Sequence, residues 1–135
     1  MRIVFDTSVI ISAFIATGMC KDVFEYAVEN HEVIISPYIL NELKGKLTQK
    51  LGFSHSEYQE IREFLTDSIL TLTEKTEKLI EFSDKKDIPI LNLCNSVRAS
   101  LLITGDKQLL KLKVIDNTKI ISPSELWNIE REHQL

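Results

Sequence analysis

Short apolar runs alternate along this chain with stretches whose apolar residues recur at three- and four-residue steps. Residues 2–5 (Arg-Ile-Val-Phe) are rich in β-branched and aromatic side chains, the signature of a buried strand. An apolar helix is expected over residues 9–16, stopped near Gly18. A second is expected over residues 22–29, with Val23, Phe24, Ala27 and Val28 on its apolar side. Residues 33–35 read as the next strand. Leu40, Leu43, Leu47 and Leu51 then trace one apolar stripe along a third helix, and Tyr58, Ile61 and Leu65 do so along a fourth. Residues 69–73 alternate like a half-buried or edge strand, whereas residues 74–83 fit neither period. A helix over residues 88–97, capped by Asp87, precedes a second clear buried strand over residues 101–104, ended by Gly105. A short helix (107–112), a last strand (119–121) and a final helix with Leu126, Trp127 and Ile129 inward complete the series.

Polar residues mark where the helices begin. Ser36 and Ser122 are each followed by proline, a capping hydroxyl before a residue already set for the first helical turn. Ser54 and Glu57 have the spacing of a capping box. Strands that alternate with helices imply an α/β fold: three layers, α/β/α, around a central, mostly parallel sheet. With no repeat, low-complexity tract or linker-like stretch, residues 1–135 read as a single domain. In such sheets ligands bind outside the carboxyl ends of the strands, which directs attention to the residues found there.

Bulk properties narrow the picture. A chain of 135 residues buries about two thirds of its unfolded surface, enough to fold without disulfides or a structural metal. The net charge of -4 argues against tight, non-specific gripping of nucleic acid through phosphates, although lysines bunch at 44–50 and 107–113 as candidate backbone-contacting patches or solvated helix faces. Cys20 and Cys94 are far apart and form no CxxC pair, so they read as small core residues in a reducing compartment. His31, His55 and His133 lack zinc-ligand spacing. The opening apolar run is too short for a signal peptide, and no stretch of eighteen apolar residues exists to span a membrane. A cytoplasmic protein with its mature start at residue 1 is expected.

The chemistry-bearing residues lie at the strand ends. Asp6 follows the first strand immediately, and Asp106 comes two residues after the strand at 101–104. Asp87 opens a helix entered from a loop, and Glu42 lies on the first turns of the helix begun by Ser36 and Pro37. These helix starts are expected to face the same sheet edge. Carboxylates gathered there would repel one another and raise their pKa values unless a cation intervened. A hard divalent ion such as Mg²⁺ or Mn²⁺, which prefers oxygen ligands, resolves that conflict. It would also lower the pKa of a bound water and stabilise charge on a phosphoryl group in flight. Each residue has a plainer reading. Asp6 or Asp87 could be an N-cap, Asp106 a turn former and Glu42 a solvated helix residue. Asp84 and Asp116 are taken as solvent-facing.

The segments IVFDTSVIISAF, ISPYILNELKGKL, DKKDIPILNL, LLITGDKQLLKL and IISPSELW, in this order and spacing, resemble the PIN domain family over nearly the whole chain. Within it they are most similar to the short single-domain group found as toxins of toxin–antitoxin pairs. The resemblance implies a Mg²⁺- or Mn²⁺-dependent ribonuclease cutting single-stranded RNA. It implies Asp6, Glu42, Asp87 and Asp106 as the acidic, metal-holding catalytic residues, with Ser8 and Thr104 behind them as hydrogen-bonding supports. The choice of Asp87 over Asp84 rests on motif register. Ser8 stands where the family's opening motif has asparagine and reaches less far. An antitoxin protein partner and a homodimer are further implications of the likeness.

Other readings fare less well. A haloacid-dehalogenase-type phosphatase needs a second aspartate where Ser8 stands. A phospho-acceptor receiver domain needs an acidic pair near Asp6 and a lone aspartate after the middle strand, and both are missing. A non-cutting PIN-like scaffold that binds RNA or protein is the remaining alternative, and the filled acidic positions argue against it.

Overall fold

Ile3, Val4 and Phe5 are each 1% exposed or less, so the strand that carries them has water on neither face. Successive strand residues point to opposite sides, and such a strand must be covered by helices above and below. The computed structural model describes residues 1–16, 18–72 and 85–134 and shows this arrangement: a six-stranded sheet between helices. The chain runs β1 (Arg2–Phe5), α1 (Thr7–Ile15), α2 (Met19–Asn30), β2 (Glu32–Ile35) and α3 (Pro37–Gly45). A π-helical turn (Lys46–Lys50), α4 (His55–Ser68) and β3 (Leu70–Thr71) follow. Beyond residue 84 come α5 (Ile88–Val97), β4 (Leu101–Ile103), α6 (Lys107–Leu112), β5 (Val114–Ile115), β6 (Thr118–Ile121) and α7 (Pro123–Gln134).

The strand order is β3-β2-β1-β4-β6-β5, parallel except for β5 against β6. The chain first builds outward from β1 through β2 to β3, then returns to the other side of β1 for β4 and β6. The reversal falls between β1 and β4, where Ile3, Val4 and Phe5 pair with Leu101, Leu102 and Ile103. A crevice opens at such a switch point, at the carboxyl ends of the two strands.

The start signals act as expected. The Ser36 hydroxyl accepts from the Ile39 amide at 3.2 Å, and Ser54 and Glu57 satisfy each other's backbone amides at 3.0 Å each. The Glu125 amide likewise donates to the Ser122 hydroxyl. Beneath the sheet edge Phe5 meets Phe24 edge to face, with centroids 5.0 Å apart, tying β1 to α2. At the far end of α2, His31 Nε2 and Glu130 Oε1 lie 2.7 Å apart and fasten α2 to α7. Cys94 is buried and Cys20 half-buried, and both are free thiols. Among the described residues no single helix is long and apolar enough to cross a membrane.

Several expectations are corrected. The first helix starts at Thr7 rather than residue 9, because Asp6 supplies its N-cap backbone. The Leu40–Leu43–Leu47 stripe is buried, but Leu51 is 46% exposed. The helix widens to π geometry at Lys46–Lys50, where the Leu51 amide bonds the Lys46 carbonyl, so Leu51 no longer lies over Leu47. Gly52 then turns the chain through a left-handed φ of 74°, and Phe53 packs on the core instead. Asp87 precedes α5, but its side chain makes no capping hydrogen bond. The antiparallel β5–β6 hairpin, turned at Asp116 with φ 49°, was not expected. Its first strand has two residues, too short to show a period. The uncharacterised stretch at 74–83, residue 73 of the expected edge strand, and Asp84 all lie outside the described residues.

The contrast between Leu47 and Leu51 is testable. Leu47→Ala should destabilise the protein by about 2–5 kcal/mol in urea unfolding, the usual range for a buried leucine. Leu51→Ala should stay within about 0.5 kcal/mol. Equal losses at the two positions would contradict the π-helical turn.

Candidate active site

Asp6 is the first residue beyond β1, and its main chain is fully committed. Its amide donates to the Ile103 carbonyl at 2.9 Å, extending the β1–β4 ladder, and its carbonyl accepts from Val9 and Ile10 to start α1. Only the side chain is left to vary, and it does not cap the helix. Instead Oδ2 accepts from the Thr104 hydroxyl at 2.8 Å. Thr104 is fully buried, and its oxygen also accepts the Asp106 amide at 3.0 Å. One hydroxyl thus uses its donor on Asp6 and a lone pair on the following turn, fixing both aspartates relative to the end of β4. Asp106 caps α6, taking the Gln108 amide on Oδ1 at 2.8 Å.

Glu42 reaches the same edge from α3. Its Oε1 accepts from the Thr7 hydroxyl at 2.9 Å, so the opening Asp-Thr-Ser motif supplies two neighbours of the cluster in succession. Asp6, Glu42, Asp87 and Asp106 all line a single cleft of about 420 Å³, with Ser8, Lys46, Lys86 and Gly105 on its walls. The four carboxylates expected from the sequence are therefore brought together. Thr104 lies behind Asp6 as expected. Ser8 is exposed on the cleft wall and, among the described residues, makes no side-chain hydrogen bond, whereas the hydroxyl of its neighbour Thr7 reaches Glu42. Thr7 and Lys86 were not among the expected residues, and Lys46 was expected only as part of the lysine bunch at 44–50, not at the acidic cleft. Lys46 was legible as the residue four positions after Glu42, on the same helix face. The Thr7–Glu42 contact depends on how α1 packs against α3, which no local pattern encodes.

Burial dominates the electrostatics. Asp6 is only 8% exposed, and loss of hydration pushes its pKa above the ordinary value of 3.8. The bonds from Thr104 and the Thr7 amide and the field of Lys46 work against that rise, while Asp106 adds to it. Among the described residues neither Asp6, Glu42 nor Asp106 forms a direct ion pair with lysine or arginine. A Cβ on Gly105 would meet nothing within 4 Å and its φ is not left-handed, so the fold itself does not demand glycine at this cleft wall. The all-oxygen donor set suits a hard divalent cation. Among the described residues no three acidic, histidine or cysteine side chains already stand close enough to enclose one ion, so the cleft is open rather than closed around a bare-ion cavity.

A family model for the PIN domain matches residues 2–108. The chain belongs to the PIN domain family. The fold of this PIN domain is also similar to a chain in the crystal structure of VapBC2 from Rickettsia felis bound to a DNA fragment from their promoter. That match has a TM-score of 0.67 at 16% identity and covers 90% of this chain and 98% of the other. At that identity the likeness concerns the fold alone. No curated protein matches the chain.

The raised pKa of Asp6 sets a pH dependence for the metal-free PIN domain. Between 3.8 and its folded value, the folded protein holds a proton that the unfolded chain has lost. The contribution of Asp6 to stability is therefore fully present below that range and declines as pH rises through the folded pKa. In chelator, Asp6→Asn should melt at the same or a higher temperature than the parent at neutral pH, with the margin narrowing toward acid. A variant that is less stable at neutral pH in chelator would show that burial of this carboxylate carries no net cost.

Proposed function

We propose that this PIN domain is a single-domain, divalent-metal-dependent endoribonuclease that cuts single-stranded RNA, with Asp6, Glu42, Asp87 and Asp106 as its metal-holding catalytic residues. The observation that carries the reading is the convergence of four carboxylates on one cleft at the strand switch point, around a buried Asp6 that has no direct cation partner among the described residues. Their spread fits an ion that keeps several waters and is held through few carboxylates, as Mg²⁺ is, with Mn²⁺ a close substitute. Bound there, such an ion supplies a water of lowered pKa and stabilises charge on the phosphoryl group.

The chain's own residues account for the remaining requirements. Thr104 engages one oxygen of Asp6, and Thr7 one oxygen of Glu42, so each carboxylate is oriented before substrate arrives. Lys46 and Lys86 on the cleft walls offer charge-assisted contacts to the phosphates beside the scissile bond. Ser8 presents a hydroxyl to the same space.

The proposal extends to biology. The chain acts as the toxin of a toxin–antitoxin pair, restrained by a separate antitoxin protein, and works as a homodimer in the cytoplasm. The likeness of its motifs to that group supports this, as does the fold shared with a chain from a VapBC2 structure. The two free thiols suit a reducing compartment. Induced expression should arrest growth and be relieved by a partner protein encoded beside it; harmless expression would count against the toxin role.

The decisive assay incubates the purified protein with labelled single-stranded RNA in Mn²⁺, Mg²⁺ or EDTA. Cleavage is expected with either metal and not in EDTA. Asp106→Asn and Asp6→Asn should each lower the rate by more than about 100-fold, beyond the loss typical of an outer-shell partner. Cleavage that survives in Asp106→Asn marks a contaminant, whereas RNA binding without cleavage favours the scaffold reading. Thr7→Val, which keeps the shape and removes the donor to Glu42, should cost roughly 10–100-fold in rate or metal affinity. An unchanged rate would remove Thr7 from the site. Mn²⁺ should raise the melting temperature of the parent and much less that of Asp6→Asn, since only a ligand that binds the folded site stabilises it.

A further inference from the structure

A second depression opens beside the acidic cleft, between α3 and α4, and its chemistry is opposite. It encloses about 820 Å³, within the range of ligand sites. From α3 it receives Tyr38, Asn41 and Lys44, spaced three apart; from α4 it receives Gln59, Arg62 and Thr66, spaced three and four apart. Each set is a single helix face, so two parallel stripes confront one another across the groove. The stripes hold two cations, two amides and an aromatic ring. Among the described residues no carboxylate lines the groove, although the chain carries a net charge of -4. Tyr58 lies beneath, buried, with its hydroxyl donated to the Leu40 carbonyl at 3.1 Å, so the floor is already satisfied and rigid.

The groove and the cleft share a wall. The Tyr38 hydroxyl donates to the Lys86 carbonyl at 3.1 Å, and Lys86 lines the acidic cleft while Tyr38 lines the groove. Thr71, the last residue of β3, also lines the groove, which therefore opens at the carboxyl edge of the sheet, as the cleft does. A polyanion is repelled by four carboxylates, and attraction for it has to arise nearby rather than inside the cleft. We propose that the α3–α4 groove is the binding subsite for the nucleotides flanking the scissile bond of a single-stranded substrate. Arg62 and Lys44 contact phosphates, the Tyr38 ring stacks on an unpaired base, and Asn41 and Gln59 meet base edges. This deepens the nuclease reading and rests on it for the position of the scissile bond. The lining is mainly polar, with Pro37 and the largely buried Leu40 as its aliphatic members, and so favours nucleic acid over a peptide.

The test measures binding and cutting separately. The full chain in EDTA is titrated against fluorescein-labelled single-stranded RNA of mixed sequence, followed by anisotropy at several salt concentrations. Lys44 and Arg62 are exposed, so Lys44→Ala/Arg62→Ala should remain folded by circular dichroism. It should bind roughly tenfold more weakly at low salt, with the salt slope reduced by about 0.7 for each phosphate that is no longer neutralised. Tyr38→Ala should weaken binding by a factor within the several-fold to hundredfold range of one base–aromatic stack, and Tyr38→Phe, which keeps the ring, should largely restore it. In Mn²⁺ the double variant should raise KM for the same RNA more than it lowers kcat. Groove-dependent binding with no cleavage under any metal would sink the nuclease reading and leave the groove standing as a nucleic-acid site. Unchanged affinity and salt slope in the double variant, or no measurable binding by the parent chain, would overturn the groove proposal, and a peptide partner would then be the better occupant.

Discussion

Strand β1 pairs with a parallel neighbour along each edge, β2 on one side and β4 on the other, and helices cover both of its faces. A strand so enclosed has no freedom of register, because a shift of one residue would turn every side chain to the wrong side. Its end point is therefore fixed, and Asp6 with it. The Asp6 amide completes the ladder to Ile103 while its carbonyl begins α1, so the carboxyl group is delivered to one place at the mouth of the switch-point crevice. Thr104, one residue beyond β4, is fixed by the same pairing and meets it there. The rest of the cleft is assembled around that pair of strand ends.

Such an assembly opposes the stability of the fold that makes it. A carboxylate deprived of water favours its protonated form, and neighbouring carboxylates strengthen that preference. The protein offsets the cost with an apolar cluster that extends from the β1 core to α2, α3 and α5. It also limits the cost through hydrogen bonds that steady individual oxygens without neutralising them. Thr104 and Thr7 are neutral donors; a lysine placed in direct contact would have satisfied the charge of Asp6 or Glu42 more fully. Lys46 lies near enough to moderate the charge of Asp6 and forms no ion pair with it. The tension between folding and charge is thus left in place at the cleft, where an unresolved local conflict is most often a functional one.

Features of the fold that depend on local chemistry were legible in the chain. Ile3 to Phe5 and Leu101 to Ile103 announced buried strands, and the residues after them, Asp6 and Asp106, could be assigned to the ligand-binding edge from the amino-acid order alone. Ser36, Ser54 and Ser122 marked helix starts because a capping hydroxyl acts within three residues of itself. What depends on packing was not legible. Glu42 and Thr7 are 35 residues apart, and their bond exists only because α1 and α3 lie side by side. Leu51 continued a regular stripe in the sequence, but the π-helical turn displaced it and Phe53 took the core position. Asp87 preceded a helix as a cap should, yet its αR backbone, with φ -89° and ψ -14°, is not the extended conformation from which a side chain caps. The β5–β6 hairpin also went unread, because its first strand has only two residues and the Asp116–Asn117 turn between the strands holds no glycine to announce it.

Helix α3 meets three demands at once, and its geometry explains how. At about 100° per residue, Ile39, Leu40 and Leu43 fall on one side and are buried. Glu42, with Lys46 four residues later, falls on a second side that faces the acidic cleft. Tyr38, Asn41 and Lys44 fall on a third that faces the groove toward α4. A regular α-helix keeps these sides apart for only a few turns, because each step of three or four residues drifts around the axis. By Leu51 the next hydrophobic position would extend the core stripe past the core it serves. The π-helical turn at Lys46–Lys50 ends the arrangement at that point, after Lys46 and Leu47 have been set in the cleft and in the core. A wide turn in this position is therefore consistent with a helix required to place three kinds of side chain and then stop.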